Sequence, residues 1–120
     1  MKIIVVDDSV VIIERVQQML SEVEYVEVAY GAVSYSDGIR LFNKIKPDAV
    51  IIDSCLRNNG CIALLEDIQM EKSNPLIIIL HNNEECELKI KSKSLGVDFV
   101  FDKYYEFEKI PAVINKMAAV

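Results

Sequence analysis

The chain has no tryptophan, a single histidine and only four glycines in 120 residues. The glycines stand at 31, 38, 60 and 96, so none follows the first strand signal. A loop of backbone amides cradling the phosphates of a flavin or dinucleotide is therefore excluded there. Basic charge is also scarce. Thirteen lysines and arginines against 19 acidic residues leave a net charge of −6, whereas a nucleic-acid surface needs a basic face, so no direct nucleic-acid binding is expected. No apolar run approaches the roughly 18 to 20 residues of a bilayer span, so no membrane segment is expected either. Repeats, low-complexity tracts and linkers are missing. The three cysteines, Cys55, Cys61 and Cys86, form an odd set behind no signal-peptide pattern, which points to reduced thiols and a cytoplasmic setting.

What is present is a globular composition, 52% hydrophobic and 27% charged, in a length that buries a working core as one domain, residues 1–120. Strand and helix signals alternate five times. The apolar runs Lys2–Val6, Ala49–Ile52 and Leu76–Leu80 read as strands buried on both faces, as parallel strands are. Tyr25–Ala29 and Val97–Phe101 each carry an acidic residue and read as edge strands, while Pro47 and Pro75 precede strands 3 and 4, where a missing N–H does little harm. Each intervening helix has one apolar stripe. The first, capped by Ser9, carries Ile12, Ile13, Val16, Met19 and Leu20; the second Ile39, Phe42 and Ile45; the third, after Gly60, Cys61, Leu64, Leu65 and Ile68. The fourth, Glu84 to Leu95, has only Cys86, Leu88 and Ile90 before Leu95, and its lysines at 89, 91 and 93 read as a solvated face. The fifth carries Phe107, Ile110, Val113, Ile114 and Met117, with Pro111 near its first turn. This alternation predicts an α/β, three-layer (βα)5 doubly wound parallel sheet with strand order 2-1-3-4-5 and right-handed crossovers.

In such a sheet the ligand site lies beyond the carboxyl ends of the strands where the order reverses, between strands 1 and 3. Asp7 and Asp8 close strand 1 and Asp53 closes strand 3, so three carboxylates converge there, with His81 after strand 4 and Lys103 after strand 5 on the same rim. Carboxylates so close repel unless protonated or joined by a cation. Magnesium suits them: it takes one or two carboxylates, keeps waters and favours sites that also hold phosphate oxygens. With a lysine as a point charge, the set matches what phosphoryl transfer to an aspartate requires. Asp53 is the candidate nucleophile, because the adjacent pair Asp7 and Asp8 is better disposed to hold the metal.

These residues give the chain its likeness. Val5-Val6-Asp7-Asp8-Ser9, Lys46-Pro47-Asp48-Ala49-Val50-Ile51-Ile52-Asp53, Gly60 and Phe101-Asp102-Lys103 resemble the receiver domain of bacterial two-component response regulators, whose fold is flavodoxin-like. Asp8 and Asp53 lie 45 positions apart, and Asp53 and Lys103 lie 50 apart, close to that family's intervals. The resemblance implies that Asp53 accepts a phosphoryl group from a sensor histidine kinase or phosphotransfer protein. It implies that Asp8, Asp53 and the Cys55 backbone carbonyl bind Mg2+ directly, that Asp7 acts mainly through water, and that Lys103 pairs with the phosphoryl or with Asp53. An output domain or downstream protein would receive the signal. No external substrate is turned over, so the chain is not an enzyme in the ordinary sense.

The chain departs from that pattern in places. His81 stands where the family has the threonine or serine whose hydroxyl binds the phosphoryl and triggers the switch. The loop after Asp53 lacks the usual proline and reaches Gly60 one residue early, and Tyr104 replaces the proline after the lysine. The aromatic switch position in strand 5 falls on Val100 by simple counting, or on Phe99 if the strand carries an extra residue. His81 thus opens a second reading, a receiver-like interaction module whose switching is weakened or independent of phosphorylation. A phosphotransfer enzyme of the haloacid dehalogenase type is disfavoured, since it wants an Asp two residues after its nucleophile, and Ser9 and Cys55 stand there instead. Zinc at Cys55, Cys61 and His81 lacks a fourth ligand, and Cys61 belongs to a core stripe.

Overall fold

Runs of Ile and Val stiffen the backbone toward extended conformations and bury well on a pleated surface, and here they become the strands. The computed structural model describes residues 1–82, 90 and 95–118. Its elements are β1 (Lys2–Val6), α1 (Val10–Leu20), β2 (Val28–Ala32), α2 (Tyr35–Ile45), β3 (Ala49–Asp53), a 3-10 turn (Arg57–Asn59), α3 (Gly60–Gln69), β4 (Leu76–His81), β5 (Phe99–Asp102) and α4 (Lys109–Ala118). The fourth helix signal, Glu84 to Leu95, with Cys86 and the lysines at 89, 91 and 93, lies outside the described residues apart from Ile90 and Leu95.

All strand pairs are parallel, in the order β2-β1-β3-β4-β5. Alternation along the inner strands sends their side chains into two cores. Ile3, Val5, Ile51, Ile78 and Leu80 meet Ile12, Ile13 and Val16 of α1 and Ile110 and Ile114 of α4. Ile4, Val6, Val50, Ile52, Ile77 and Ile79 meet Phe42 of α2 and Leu64, Leu65 and Ile68 of α3. This is the predicted three-layer α/β sandwich. Ser9 caps α1 as expected, its Oγ accepting from the Ile12 amide at 3.4 Å.

Two edge strands are displaced from their predicted bounds. The expected Tyr25–Ala29 strand forms at Val28–Ala32, and Val97–Phe101 forms at Phe99–Asp102. At β2 the reason is a close approach: a Cβ on Gly31 would sit 2.6 Å from Ile13 Cγ2, so glycine lets α1 settle on this edge. Gln17 then reaches across to donate to the Ala29 carbonyl at 2.9 Å. Glu27 is spent on entry, its amide donating to the Met1 carbonyl. At β5 the carboxylate of Asp98 accepts from the Ile77 amide at 2.8 Å, ahead of the paired residues.

Candidate functional site

The site is assembled at the carboxyl ends of β1, β3, β4 and β5. Asp7 follows the last residue of β1 and is fixed at both its amide and its carboxylate: its N–H donates to the Ala32 carbonyl at 3.0 Å, and its Oδ1 accepts from the Ser9 amide at 2.8 Å. Asp53 is itself the last residue of β3, in register with Leu80 of β4. Both carboxylates are buried, at 1% and 3% exposure, whereas Asp8 opens to solvent. One carboxylate oxygen from each of Asp7, Asp8 and Asp53 lies within 4.8 Å of the others.

Lys103, buried just past β5, stabilises this concentration of charge. Its Nζ stands 2.8 Å from Asp7 Oδ2 and 3.3 Å from Asp53 Oδ1. Burial pulls its pKa down, but the hydrogen bond to Asp7 and the charges of Asp53 and Asp7 outweigh that and hold it above the ordinary lysine value. The Asp53 carboxyl moves up as well. Burial is the main cause and the Asp7 charge adds to it, while the Cys55 amide, 3.1 Å from Oδ1, and Lys103 oppose the rise. Three ionised carboxylates face one buried ammonium and, at Asp8, one exposed guanidinium 3.7 Å away, so the cluster keeps a net negative charge, and the donor atoms are hard oxygens on an open face. That donor set fits a divalent cation of the magnesium kind.

The other half of the rim is organised differently. His81 ends β4 as a buried residue at 5% exposure, and its carbonyl accepts from the Lys103 amide at 2.6 Å. Asp102 Oδ1 accepts from the amides of both Tyr104 and Tyr105 at 2.8 Å, and its own N–H donates to Glu106 Oε1 at 3.0 Å. The turn that presents Lys103 is thus held by side-chain caps where the resembled pattern has a proline. Val100 packs on the α2–α3 side of the sheet, with the core that includes Ile90, whereas Phe99 stacks on Phe101 at 5.7 Å on the other side. Val100 and Phe99, the two positions counted for the aromatic switch, thus lie on opposite faces of β5.

Every residue singled out from the sequence, Asp7, Asp8, Asp53, Cys55, His81 and Lys103, falls on this one rim. Cys61 does not: it is buried at 1% exposure in the α3 core. Sequence reasoning missed Arg57, whose Nε lies 3.7 Å from Asp8 Oδ2, and the Asp102–Glu106 caps. An arginine four residues after Asp53 on a shortened loop, and an Asp directly before the lysine, were the available signals.

The chain belongs to the response regulator receiver domain family, whose model matches residues 3–115. It is 33% identical over 100 residues to protein-glutamate methylesterase/protein-glutamine glutaminase 3 of Geobacter sulfurreducens, covering 82% of this chain and 27% of that protein. It is 24% identical over 120 residues to the sensory transduction protein BceR of Halalkalibacterium halodurans, covering 97% and 51%. The methylesterase-type relatives thus contain the match in about a quarter of their length. In fold, the response regulator domain of Thermotoga maritima CheB superposes with a TM-score of 0.78 at 18% identity, covering 99% of this chain and 93% of that one. The N-terminal domain of a Wolinella succinogenes protein gives 0.86 at 24%, covering 99% and 94%. The chain is accordingly a receiver domain of the two-component response regulator class, and its Asp7, Asp8 and Asp53 carboxylates cluster on the rim.

Proposed function

We propose that residues 1–120 form a single receiver domain in which Asp53 accepts a phosphoryl group from the phosphohistidine of a sensor kinase or phosphotransfer protein. The observation that carries this is the split in the Asp53 carboxylate. Lys103 and the Cys55 amide both engage Oδ1, so Oδ2 is the oxygen without a contact from these two groups and is the one to attack. The P–N bond of the donor breaks, an Asp53 Oδ2–P bond forms, and the departing imidazole takes a proton. Asp7, Asp8, Asp53 and the Cys55 carbonyl would hold Mg2+, whose part is to neutralise phosphoryl oxygens. Lys103 then pairs with the incoming phosphoryl, and water later hydrolyses the acyl phosphate. On this reading no external substrate is turned over. No helix of the described residues is long and apolar enough to cross a membrane.

The test is intact mass after exposure to acetyl phosphate. One phosphoryl group should add in magnesium, and none should add in chelator or in Asp53→Ala. Labelling that survives the substitution refutes the assignment.

A second reading rests on His81. A buried imidazole at the end of β4 occupies the place of a small hydroxyl, so phosphorylation would proceed while the switch it drives is weakened, leaving an interaction module that depends less on phosphorylation.

A further inference from the structure

The turn between β3 and α3 adds something that acceptor chemistry alone does not require. Asn58 and Asn59 both adopt left-handed backbone, with φ of 58° and 57°, in a region that asparagine tolerates better than most residues. Buried Leu56 precedes the turn and buried Gly60 follows it, so the segment is pinned at both ends. A Cβ on Gly60 would come 3.1 Å from Leu56 Cβ and 3.3 Å from Tyr35 Cβ, which shows how closely the turn is packed. Arg57 is consequently carried over the acidic rim, its Nε 3.7 Å from Asp8 Oδ2, with its side chain 87% exposed. Lys103 contacts Asp7 and Asp53. Asp8 is the carboxylate of the trio that faces the arginine instead.

We propose that Arg57 is a tethered counter-ion for Asp8, which a divalent cation must displace on binding, so that this arginine weakens ion affinity and makes it depend on salt. The inference rests on the reading of the acidic trio as an ion site. A divalent ion outcompetes the guanidinium because it brings two charges and can bind Asp8 and Asp53 together, whereas the arginine offers one charge to one carboxylate. The displaced side chain has room to move: a cavity of about 610 Å³ opens at the pair, lined by Asp8 and Arg57 themselves and extending to Ser34, Tyr35, Ser36 and Asn58. Exposed ion pairs are modest in strength, so the expected penalty on affinity is about two- to five-fold at low salt.

Magnesium titration of the metal-free protein, followed by the backbone amide shifts of Asp8 and Asp53, reads affinity without any phosphoryl donor. Arg57→Gln should bind about two- to five-fold more tightly than wild type, and the gap should close at about 0.5 M salt, where screening cuts in within a few ångströms. Arg57→Lys, which keeps the charge on a more flexible stem, should fall between the two. Lys44→Gln removes the same charge from the last turn of α2, at the opposite end of the sheet, and should leave affinity unchanged. Equal affinities in wild type and Arg57→Gln, or an equal gain in Lys44→Gln, overturn the inference while the ion site stands. Absence of saturable shifts in every protein overturns the ion site and the inference together.

Discussion

The two halves of the rim are built on different principles. At β1 and β3 the carboxylates of Asp7 and Asp53 are immobilised by the backbone at the ends of strands buried on both faces, and their neighbours follow the family pattern. At β4 and β5 the pattern is broken at His81 and Tyr104, and order comes from side chains: Asp102 and Glu106 tie down the turn that delivers Lys103. The first half owes its geometry to the core and the second to local caps. Lys103 joins them, since it extends from the capped turn onto both buried carboxylates.

Cutting that joint should have the largest effect. Lys103→Ala leaves Asp7 and Asp53 buried without their cation. Breaking a fully buried pair costs roughly 3–5 kcal/mol, and the open face beside Asp8 reduces this to about 2 kcal/mol at neutral pH. Urea unfolding of metal-free protein measures it, and magnesium should recover part of the loss by binding the native state. A change below about 0.5 kcal/mol would mean that the two halves are not coupled through this residue, since surface substitutions alone reach that size.

The caps come next. Asp102→Ala removes an acceptor shared by two amides and should lower stability by less than Lys103→Ala does, as the loss of a cap at an exposed turn does. Its pH dependence is the sharper signature. The amides of Tyr105 and Tyr104 hold the Asp102 carboxyl below its usual value, and Lys109 does the same for Glu106. A depressed carboxyl stabilises the fold above the unfolded-state pKa of about 4 and loses that contribution as pH falls through the folded value. The difference between wild type and Asp102→Ala should therefore be full at pH 7 and shrink below about pH 4. A pH-independent difference would assign the effect to packing.

Much of the first half was legible in the residues. The runs ending in Asp7 and Asp53 predicted strands whose bounds differ from the structure by no more than the terminal Asp53, because burial on both faces leaves an unbroken apolar signal. The edges were legible only roughly. β2 lies three residues beyond its predicted start because the pattern Val26-Glu27-Val28 imitates a half-buried strand, while Gly31, which reads as a breaker, is required by the approach of Ile13. The Arg57 contact and the Asp102 caps depend on turn conformation, notably two consecutive left-handed asparagines, and local turns carry no periodicity to read.

The core-built half can be probed through its own strain. Burial and the Asp7 charge raise the Asp53 carboxyl, so its ionised form opposes folding above the folded pKa. Metal-free Asp53→Asn should then melt a few degrees higher at pH 7, on the scale by which about 1 kcal/mol moves a domain of this size. The gain should fade as pH drops through the carboxyl range, where wild type protonates, and shrink in magnesium, which stabilises only the carboxylate. A variant that melts lower at pH 7 would show that Lys103 more than offsets the cost of burial.

The smallest effect, and the one that bears most on signalling, concerns His81. A threonine hydroxyl is small and neutral and leaves space when it moves toward a phosphoryl oxygen. An imidazole is bulkier and takes up that space. His81 is already buried at the end of β4, and its carbonyl takes the Lys103 amide, so its backbone is committed to the turn that places the lysine. It either donates to the phosphoryl or blocks the inward movement, and in both cases the response of β5 is reduced. Val100, on the inner face of β5, is the reporter, because it packs with the layer that a switch would have to rearrange. Backbone amide shifts on adding beryllofluoride should be larger at Val100 and Phe101 in His81→Thr than in wild type, while shifts at Asp7 and Asp53 stay alike. Equal β5 shifts in the two proteins would make His81 a neutral replacement, and the capped half of the rim would then switch like the rest of its family despite being built from different residues.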